Sequence, residues 1–227
     1  MKRAMVMDLD RCTGCQSCIV ACKFENNSGL GNYRCDIVDV GPYGTHPDIQ
    51  MYWLPFQCQQ CENAPCIEVC PTGASYRDPD NGVVLIGDQE CIGCMTCLAA
   101  CPFSDNAGAA RPSARWFNEE RNVVEKCTLC NHLTAKSDGV ENPADSLDAA
   151  HAVPPCVYNC PTKCRHFGDL DDAASEASQM LAQAKAEGRP TYTLASDEAQ
   201  ATFVYILSES TAPWNGMGEW RSLVAKG

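Results

Sequence analysis

Apolar residues arrive along this chain in short bursts separated by turn-forming clusters, and the clearest helical stretch lies towards the C-terminus. In "DDAASEASQMLAQAKAEGRP" acidic residues stand at the start, Ala, Leu and Met fill the body, and Gly188 then Pro190 mark the exit, which predicts a packing helix. The stretch "YRDPDNGVVLIGDQEC" predicts a turn at "DPDNG" followed by a short strand over Val83–Ile86. "ARWFNEERNVVEKC" predicts a hairpin turning near Asn118–Asn122, and "TFVYILSES" a strand. That last run is too short to span a bilayer, and no other stretch reaches the apolar length required. Residues 131–155, "NHLTAKSDGVENPADSLDAAHAVPP", form a polar insertion without periodicity. Long irregular loops of this kind are often functional or disordered, which makes it a candidate partner contact.

Composition changes this picture through one residue type. The 227 residues include 18 cysteines, a density that indicates either a disulfide scaffold or a metal protein. Disulfide scaffolds are usually secreted and much shorter, and cysteines two residues apart are poorly placed to bridge each other, so metal is the better reading. The formal charge of −12 argues against nucleic acid, whose backbone demands Lys and Arg, and suits simple solubility. The opening "MKRAMVMDLD" has two basic residues, but Asp8 and Asp10 interrupt it before a signal-peptide core. The expectation is a subunit with no export signal or membrane span of its own, cytoplasmic or exported folded with a partner that bears a twin-arginine signal.

The cysteines fall into four groups. "CTGCQSCIVACK" supplies Cys12, Cys15, Cys18 and Cys22; "CQQCENAPCIEVCP" supplies Cys58, Cys61, Cys66 and Cys70; "CIGCMTCLAACP" supplies Cys91, Cys94, Cys97 and Cys101. The fourth group is split, with Cys127 and Cys130 in "CTLC" and Cys156 and Cys160 in "CVYNCP". Groups two, three and four end in Cys-Pro, whereas Lys23 follows the first. "CIEVCPTGASY" aligns with "CVYNCPTKCRHF", and "DRCTGCQSC" with "QECIGCMTC". Three cysteines at steps of three followed by a more distant fourth is the spacing of bacterial ferredoxins, whose fourth cysteine ligates the other cluster. Steps of three keep three thiols on one curl of backbone, and Pro102 ends the following helical turn. Gly93, matched by Gly14, is expected to bring the backbone close to inorganic sulfide, where a Cβ would intrude.

Applying that exchange rule gives four quartets. Cys58, Cys61 and Cys66 share a cluster with Cys101, and Cys91, Cys94 and Cys97 share one with Cys70. Cys12, Cys15 and Cys18 pair with Cys160, and Cys127, Cys130 and Cys156 with Cys22. Sixteen of the 18 cysteines then serve four [4Fe–4S] clusters with no ligand missing. Zinc ribbons also use Cys-x-x-Cys pairs, but zinc takes four ligands per site and gives no reason for triplets followed by Cys-Pro. Cys164 stands where the aligned repeat has Ala74, and Cys35 lies outside any cluster spacing; both read as small buried hydrophobes. His46, His132, His151 and His166 are isolated and read as non-ligands. Lys23, Lys126, Lys163 and Arg165 either moderate cluster charge or remain ordinary solvated cations. No nucleophile–base pair or dinucleotide-binding loop is present, so no catalytic residue is expected.

The predicted fold is α+β: two tandem or nested ferredoxin-like two-cluster units with short strands, short helices and long loops. Residues 1–30 plus 120–170 make the outer unit from groups one and four, and residues 50–110 the inner unit from groups two and three. Residues 131–155 are an insertion, and residues 171–227 a C-terminal helix and tail.

With its four ordered cysteine groups, "MVMDLDRCTGCQSCIVACKFEN", "CPTGA" and "FGDL", the chain resembles the four-cluster iron–sulfur subunit of molybdopterin oxidoreductases of the dimethyl sulfoxide reductase family. The resemblance implies four [4Fe–4S] clusters with the same ligand exchange, and a non-catalytic electron-transfer subunit in a heterodimer with a large molybdopterin-containing catalytic subunit. A membrane quinol-oxidising anchor or a soluble electron carrier would be the other redox partner. "CENAPC" and "FNEERNVVEKCTLCNHL" resemble the aromatic (catechol-type) transhydroxylase and dehydroxylase branch, with arsenate reductase partners close by. That transhydroxylase branch loses part of one cysteine group, which this chain keeps. The rival readings are an electron-transfer subunit of a hydrogenase or formate dehydrogenase, and a freestanding polyferredoxin.

Overall fold

The computed structural model describes residues 1–104, 112–134, 153–194 and 199–214. The first strand, β1 (Arg3–Asp8), reads Arg-Ala-Met-Val-Met-Asp and is buried on both faces. Both neighbours are provided from far along the chain. On one side it pairs antiparallel with β8 (Arg165–Asp169), Met5 opposite Phe167. On the other it pairs parallel with β10 (Val204–Ile206), which also pairs with β9 (Thr191–Tyr192), giving the order β8-β1-β10-β9. Alternation along β1 divides its burial. Met5 and Met7 join the cysteine-rich core, while Val6 packs with Ala177, Met180 and Ala184 of helix α6 (Glu176–Ala186). Helix α6 lies within the stretch predicted from its Ala-rich pattern. Ser175 caps it by accepting from the Ser178 N–H at 3.2 Å, and Gly188 follows its end at φ +68°.

Three antiparallel hairpins complete the strand content. β2 (Cys35–Tyr43) pairs with β3 (Gln50–Gln57), burying Val40, Tyr52, Leu54 and Phe56; the sequence reading did not predict this hairpin. β4 (Ser75–Arg77) pairs with β5 (Val84–Ile86), which falls within the predicted Val83–Ile86 strand. β6 (Arg115–Asn118) pairs with β7 (Val123–Lys126), with the turn where it was predicted. Glu125 on β7 meets Arg34 and Arg121, each at 2.9 Å, which ties the approach to β2 to this hairpin.

Helices follow the cysteine groups. α1 (Ser17–Glu25) carries Cys18 and Cys22. α2 (Pro65–Glu68), α3 (Thr96–Ala99) and α5 (Pro155–Tyr158) are single turns that carry Cys66, Cys97 and Cys156. α4 (Asn131–Thr134) begins the predicted insertion, whose residues 135–152 lie outside the described residues. No helix among the described residues is long and apolar enough to cross a membrane.

The C-terminal segment expected as a helix and tail is stitched into the sheet. Besides the β1–β10 pairing, Arg189 bridges Asp8 and Asp10. Asp10 also accepts from the Ser208 N–H at 3.1 Å and from its Oγ at 2.6 Å. Burial alone would raise the Asp10 carboxyl, but the bonds from Ser208, Thr211 and Arg189 outweigh it and hold it below the ordinary carboxylate value. A depressed carboxylate stabilises the fold at every pH above its unfolded value of about 3.9 and stops doing so as pH falls through its folded value. Asp10→Asn is therefore expected to weaken β10 docking by about 2 kcal/mol. Amide exchange at Val204–Ile206 should quicken roughly thirtyfold by the same reckoning, by an amount unchanged between about pH 6 and pH 8.

Candidate iron–sulfur cluster sites

Each Cys-x-x-Cys curl is built the same way. The residue immediately before its second cysteine is left-handed in all four groups: Gly14 (φ +64°), Gln60 (φ +51°), Gly93 (φ +69°) and Leu129 (φ +53°). Two of the four are not glycine, and a non-glycine residue there costs roughly 1–2 kcal/mol. The glycines answer to packing on the outer side of the curl. A Cβ on Gly14 would lie 2.5 Å from the Trp53 ring, and one on Gly93 2.8 Å from the Asn122 carbonyl oxygen. Apart from any room it leaves for sulfide, Gly93 is thus required by the close approach of Asn122 and by a left-handed backbone.

Two of the predicted quartets line clefts. Cys22, Cys127, Cys130 and Cys156 face one whose space, counted out to solvent, is about 340 Å³; Met5, Gln57 and Arg34 also border it. Cys70, Cys91, Cys94 and Cys97 line a second of about 320 Å³ with Ile92, Met95 and Val124. Among the described residues, no histidine lines either. In the third quartet, Cys61 is raised by burial and then by Cys58, Cys101 and Cys66, its predicted companions. In the fourth, Cys12 and Cys160 both adjoin Cys164, whose N–H donates to Cys160 Sγ at 3.3 Å, while Cys18 is a charge neighbour of Cys12. Cys15 stands exposed at the rim, its Sγ 3.4 Å from Ser17 Oγ. Among the described residues, no three His, Cys, Asp or Glu side chains converge as a single metal ion requires.

The donor set has the chemistry of a cluster seat. Thiolates are the ligands iron takes, and burial opposes forming them here. It pushes Cys101 up to about 11 and Cys156 up to about 12, against Arg115 and Arg165, which pull down. Cys22 and Cys130 are driven higher still, first by burial and then by quartet neighbours. Bound iron supplies the positive charge that makes such thiolates affordable. Donors already point at the sulfurs: the Ser75 N–H to Cys70 at 3.3 Å, Thr96 Oγ1 to Cys94 at 3.3 Å, and the Leu129 N–H to Cys127 at 3.5 Å. Arg115 is fully buried, and among the described residues its Nε and Nη1 lack a hydrogen-bond partner. A buried donor left unpaired costs roughly 1–3 kcal/mol, and an anionic cluster beside it would remove that cost.

Several side chains take roles the sequence reading did not give them. Lys126 and Arg165 are fully buried, which overturns their reading as solvated cations. Lys163 is exposed, and Lys23 serves a loop, donating to the Gly29 and Asn32 carbonyls at 2.7 and 2.9 Å. Cys35 and Cys164 are buried as predicted but are more than apolar filler. Arg165 Nη2 donates to Cys35 Sγ at 3.0 Å. The Cys35 thiol beside Cys18, and Cys164 beside Cys12, are the leading causes that hold those two cysteines below the ordinary thiol value. Arg115 was missed because "ARWFN" reads as plain strand. Gln57, Gln59 and Gln60 were missed too: in "QCQQC" they look like solvent-facing spacers. They are buried, and Gln60 Nε2 donates to the Cys127 carbonyl at 2.9 Å, joining groups two and four. His132 and His166 pair with Glu25 and Glu176 at 2.7 and 2.8 Å. His46 is exposed, and His151 lies outside the described residues.

Comparison with known proteins finds iron–sulfur relatives. Residues 49–170 match a family described as 4Fe-4S dicluster domain, and residues 3–24 one described as 4Fe-4S binding domain. The putative dimethyl sulfoxide reductase iron-sulfur subunit of Halobacterium salinarum is 35% identical over 237 residues, covering 92% of this chain and 80% of that protein. The thiosulfate reductase electron transfer subunit PhsB of Salmonella typhi is 39% identical over 180 residues, 79% of this chain and 81% of PhsB. The arsenate respiratory reductase iron-sulfur subunit ArrB of Shewanella sp. is 33% identical over 220 residues, 80% of this chain and 87% of ArrB.

Cys35→Ala and Cys164→Ala are each expected to keep the full iron and acid-labile sulfide content. Each should lose about 1–2 kcal/mol of stability as Arg165 or Cys12 is left short of a partner. Iron analysis and thermal inactivation of the anaerobic protein check both parts, and iron loss in either variant would make that cysteine a ligand.

Proposed function

Because the chain belongs to the iron–sulfur electron-transfer subunits of the molybdopterin oxidoreductases, the family of dimethyl sulfoxide reductase, we propose that its sixteen grouped cysteines hold four [4Fe–4S] clusters in one row. The observation that carries this reading is the pairwise adjacency of the quartets. Cys97 of the Cys70–Cys91–Cys94–Cys97 set has Cys66 of the Cys58–Cys61–Cys66–Cys101 set as a charge neighbour. Cys127 has Cys58, which joins that second set to the Cys22–Cys127–Cys130–Cys156 set. Cys156 in turn has Cys18, which joins the third set to Cys12, Cys15 and Cys160. By these charge neighbours each set lies near the next, and the terminal sets carry Cys94 and Cys15, the two exposed cysteines.

When bound, a [4Fe–4S] cluster supplies a one-electron couple whose charge is spread over iron and sulfide. The chain does the rest. Its quartets fix the spacing, its apolar side chains keep water from the interior sulfurs, and its N–H and O–H donors set how readily each sulfur carries charge. Electrons enter at one exposed end and leave at the other. One end serves a large molybdopterin catalytic subunit, in which the substrate reaction takes place. The other serves a soluble carrier or a quinol-oxidising membrane subunit. For the substrate we favour an aromatic, catechol-type ring or arsenate, on "CENAPC" and "FNEERNVVEKCTLCNHL" and on the likeness to ArrB.

Anaerobically isolated protein should contain about sixteen iron and sixteen sulfide per chain. Cys22→Ser should remove about a quarter of both or convert one cluster to a three-iron form, and iron for only one or two clusters in the unaltered protein would sink the reading. A second check uses the complex. Dithionite-reduced protein should be reoxidised when its co-purified large partner receives substrate, and a large partner without molybdopterin would point to a different oxidoreductase.

A further inference from the structure

Three cations lie deep among the cysteines: Arg115, Lys126 and Arg165, at 0%, 1% and 2% exposure. Their placement is not random. The Arg115 N–H donates to Ser104 Oγ at 3.0 Å, just past Cys101. Its Nη2 reaches Ser75 Oγ at 3.4 Å, and the Ser75 N–H itself donates to Cys70 Sγ at 3.3 Å. The side chain therefore runs from the Cys58–Cys61–Cys66–Cys101 set to the Cys70–Cys91–Cys94–Cys97 set. Its anionic neighbours come from both, Cys66, Cys58 and Cys101 from the first and Cys97 from the second.

Arg165 holds the equivalent place in the outer pair. Its Nη1 lies 3.8 Å from Cys156 Sγ and its Nη2 3.0 Å from Cys35 Sγ, the thiol beside Cys18. It thus stands between the Cys22–Cys127–Cys130–Cys156 set and the Cys12–Cys15–Cys18–Cys160 set. Lys126 fills the remaining junction. Its Nζ donates to the Val84 carbonyl and, at 2.9 Å, to the Cys127 carbonyl. That same carbonyl accepts from Gln60, which sits between Cys58 and Cys61. Cys58, Cys127 and Cys66 are its anionic neighbours, from both middle sets.

We propose that Arg115, Lys126 and Arg165 each occupy one of the three gaps in the four-cluster row and raise the reduction potential of the two clusters they separate. A fixed cation favours the more negative, reduced state of each neighbour. That attraction falls as the inverse of distance, so it acts most strongly on the two clusters flanking the gap and more weakly on those beyond. The two middle clusters each border two of these cations and the terminal clusters one, so the interior of the row is raised most and stays open to electrons. These are positioning residues acting on the clusters and not ligands.

The inference rests on the four-cluster reading, and redox titration followed by electron paramagnetic resonance tests it on the protein as isolated with its partner. The neutral variants are Arg115→Gln, Lys126→Met and Arg165→Gln; the charge-keeping ones are Arg115→Lys, Lys126→Arg and Arg165→Lys. Each neutral variant should keep its iron and move two of four one-electron steps to lower potential. At fixed poise the ratio of reduced to oxidised cluster should fall about tenfold, or about 59 mV for a one-electron couple. The charge-keeping variants should recover most of the shift. The affected pairs should overlap in a set pattern: Arg115 and Lys126 share one step, Lys126 and Arg165 share another, and Arg115 and Arg165 share none.

Full iron with unmoved potentials, or an equal movement of all four steps in every variant, overturns the proposal. Where a neutral variant loses iron, its charge-keeping counterpart stands in, and the same two steps should move by less because the charge is displaced. Loss of iron from all three neutral variants, with unmoved potentials in the others, assigns the cations to folding alone and also overturns it. Iron for fewer than four clusters in the unaltered protein would instead defeat the reading on which the inference rests.

Discussion

A thiolate taken out of water must be met by positive charge or by hydrogen-bond donors, and this chain buries enough cysteines for that requirement to govern its interior. Cys22, Cys61, Cys66, Cys101 and Cys156 belong to the same cluster of buried residues as Phe56, Tyr52 and Leu54. Without iron such a centre is a set of thiols too deeply buried to ionise readily. The protein meets the demand in layers: metal at the thiolate itself, N–H and O–H groups of Ser75, Thr96 and Cys164 on the sulfurs, and buried guanidinium and ammonium groups behind them. Net acidity of the whole chain, −12 by formal count, is a surface property and says nothing about this inner reserve of cations.

The rest of the fold can be understood as what keeps that centre closed. β1 takes its partners from β8 and β10, so the first strand is locked only when the chain after the last cysteine has returned. Arg189 and Asp10 fasten the return. The β2–β3 hairpin lays Trp53 against Gly14, which places a large ring on the outside of the first cysteine curl. Against this closure, Cys15 and Cys94 stay at the surface, and Ile92 and Met95 beside Cys94 are exposed apolar side chains. An electron-transfer subunit needs both properties: insulation along its length and contact at its ends.

The internal repeat is kept in backbone and released in side chains. All four curls use a left-handed residue before the second cysteine, yet only two of them use glycine, and both Gly14 and Gly93 have a neighbour pressed against the missing Cβ. The buried guanidinium is repeated too, from different sequence positions. Arg165 comes directly after Cys164 on β8, whereas the aligned position in the other half is Ser75, and Arg115 reaches the Ser75 hydroxyl from β6. The same charge thus arrives by two routes, where alignment of the cysteine groups shows no match.

Spacing was enough to group the cysteines and name the cofactor class, because ligand geometry around an inorganic cube forces short, regular steps between residues adjacent in sequence; the family was legible from spacing together with stretches such as "CPTGA" and "FGDL". The Ala-rich α6, the β6–β7 turn and the β5 and β10 strands were legible for the same reason: their signals are periodic or local. What only the tertiary structure decided depends on residues that meet across long separations. Ordinary-looking Gln60, Arg115 and Arg165 carry no local pattern, and Cys35 looked like spare hydrophobe until Arg165 came to rest on it 130 positions away. Charge acts through space, so the sequence could place the thiolates, but only the folded chain could reveal which cations stand between them.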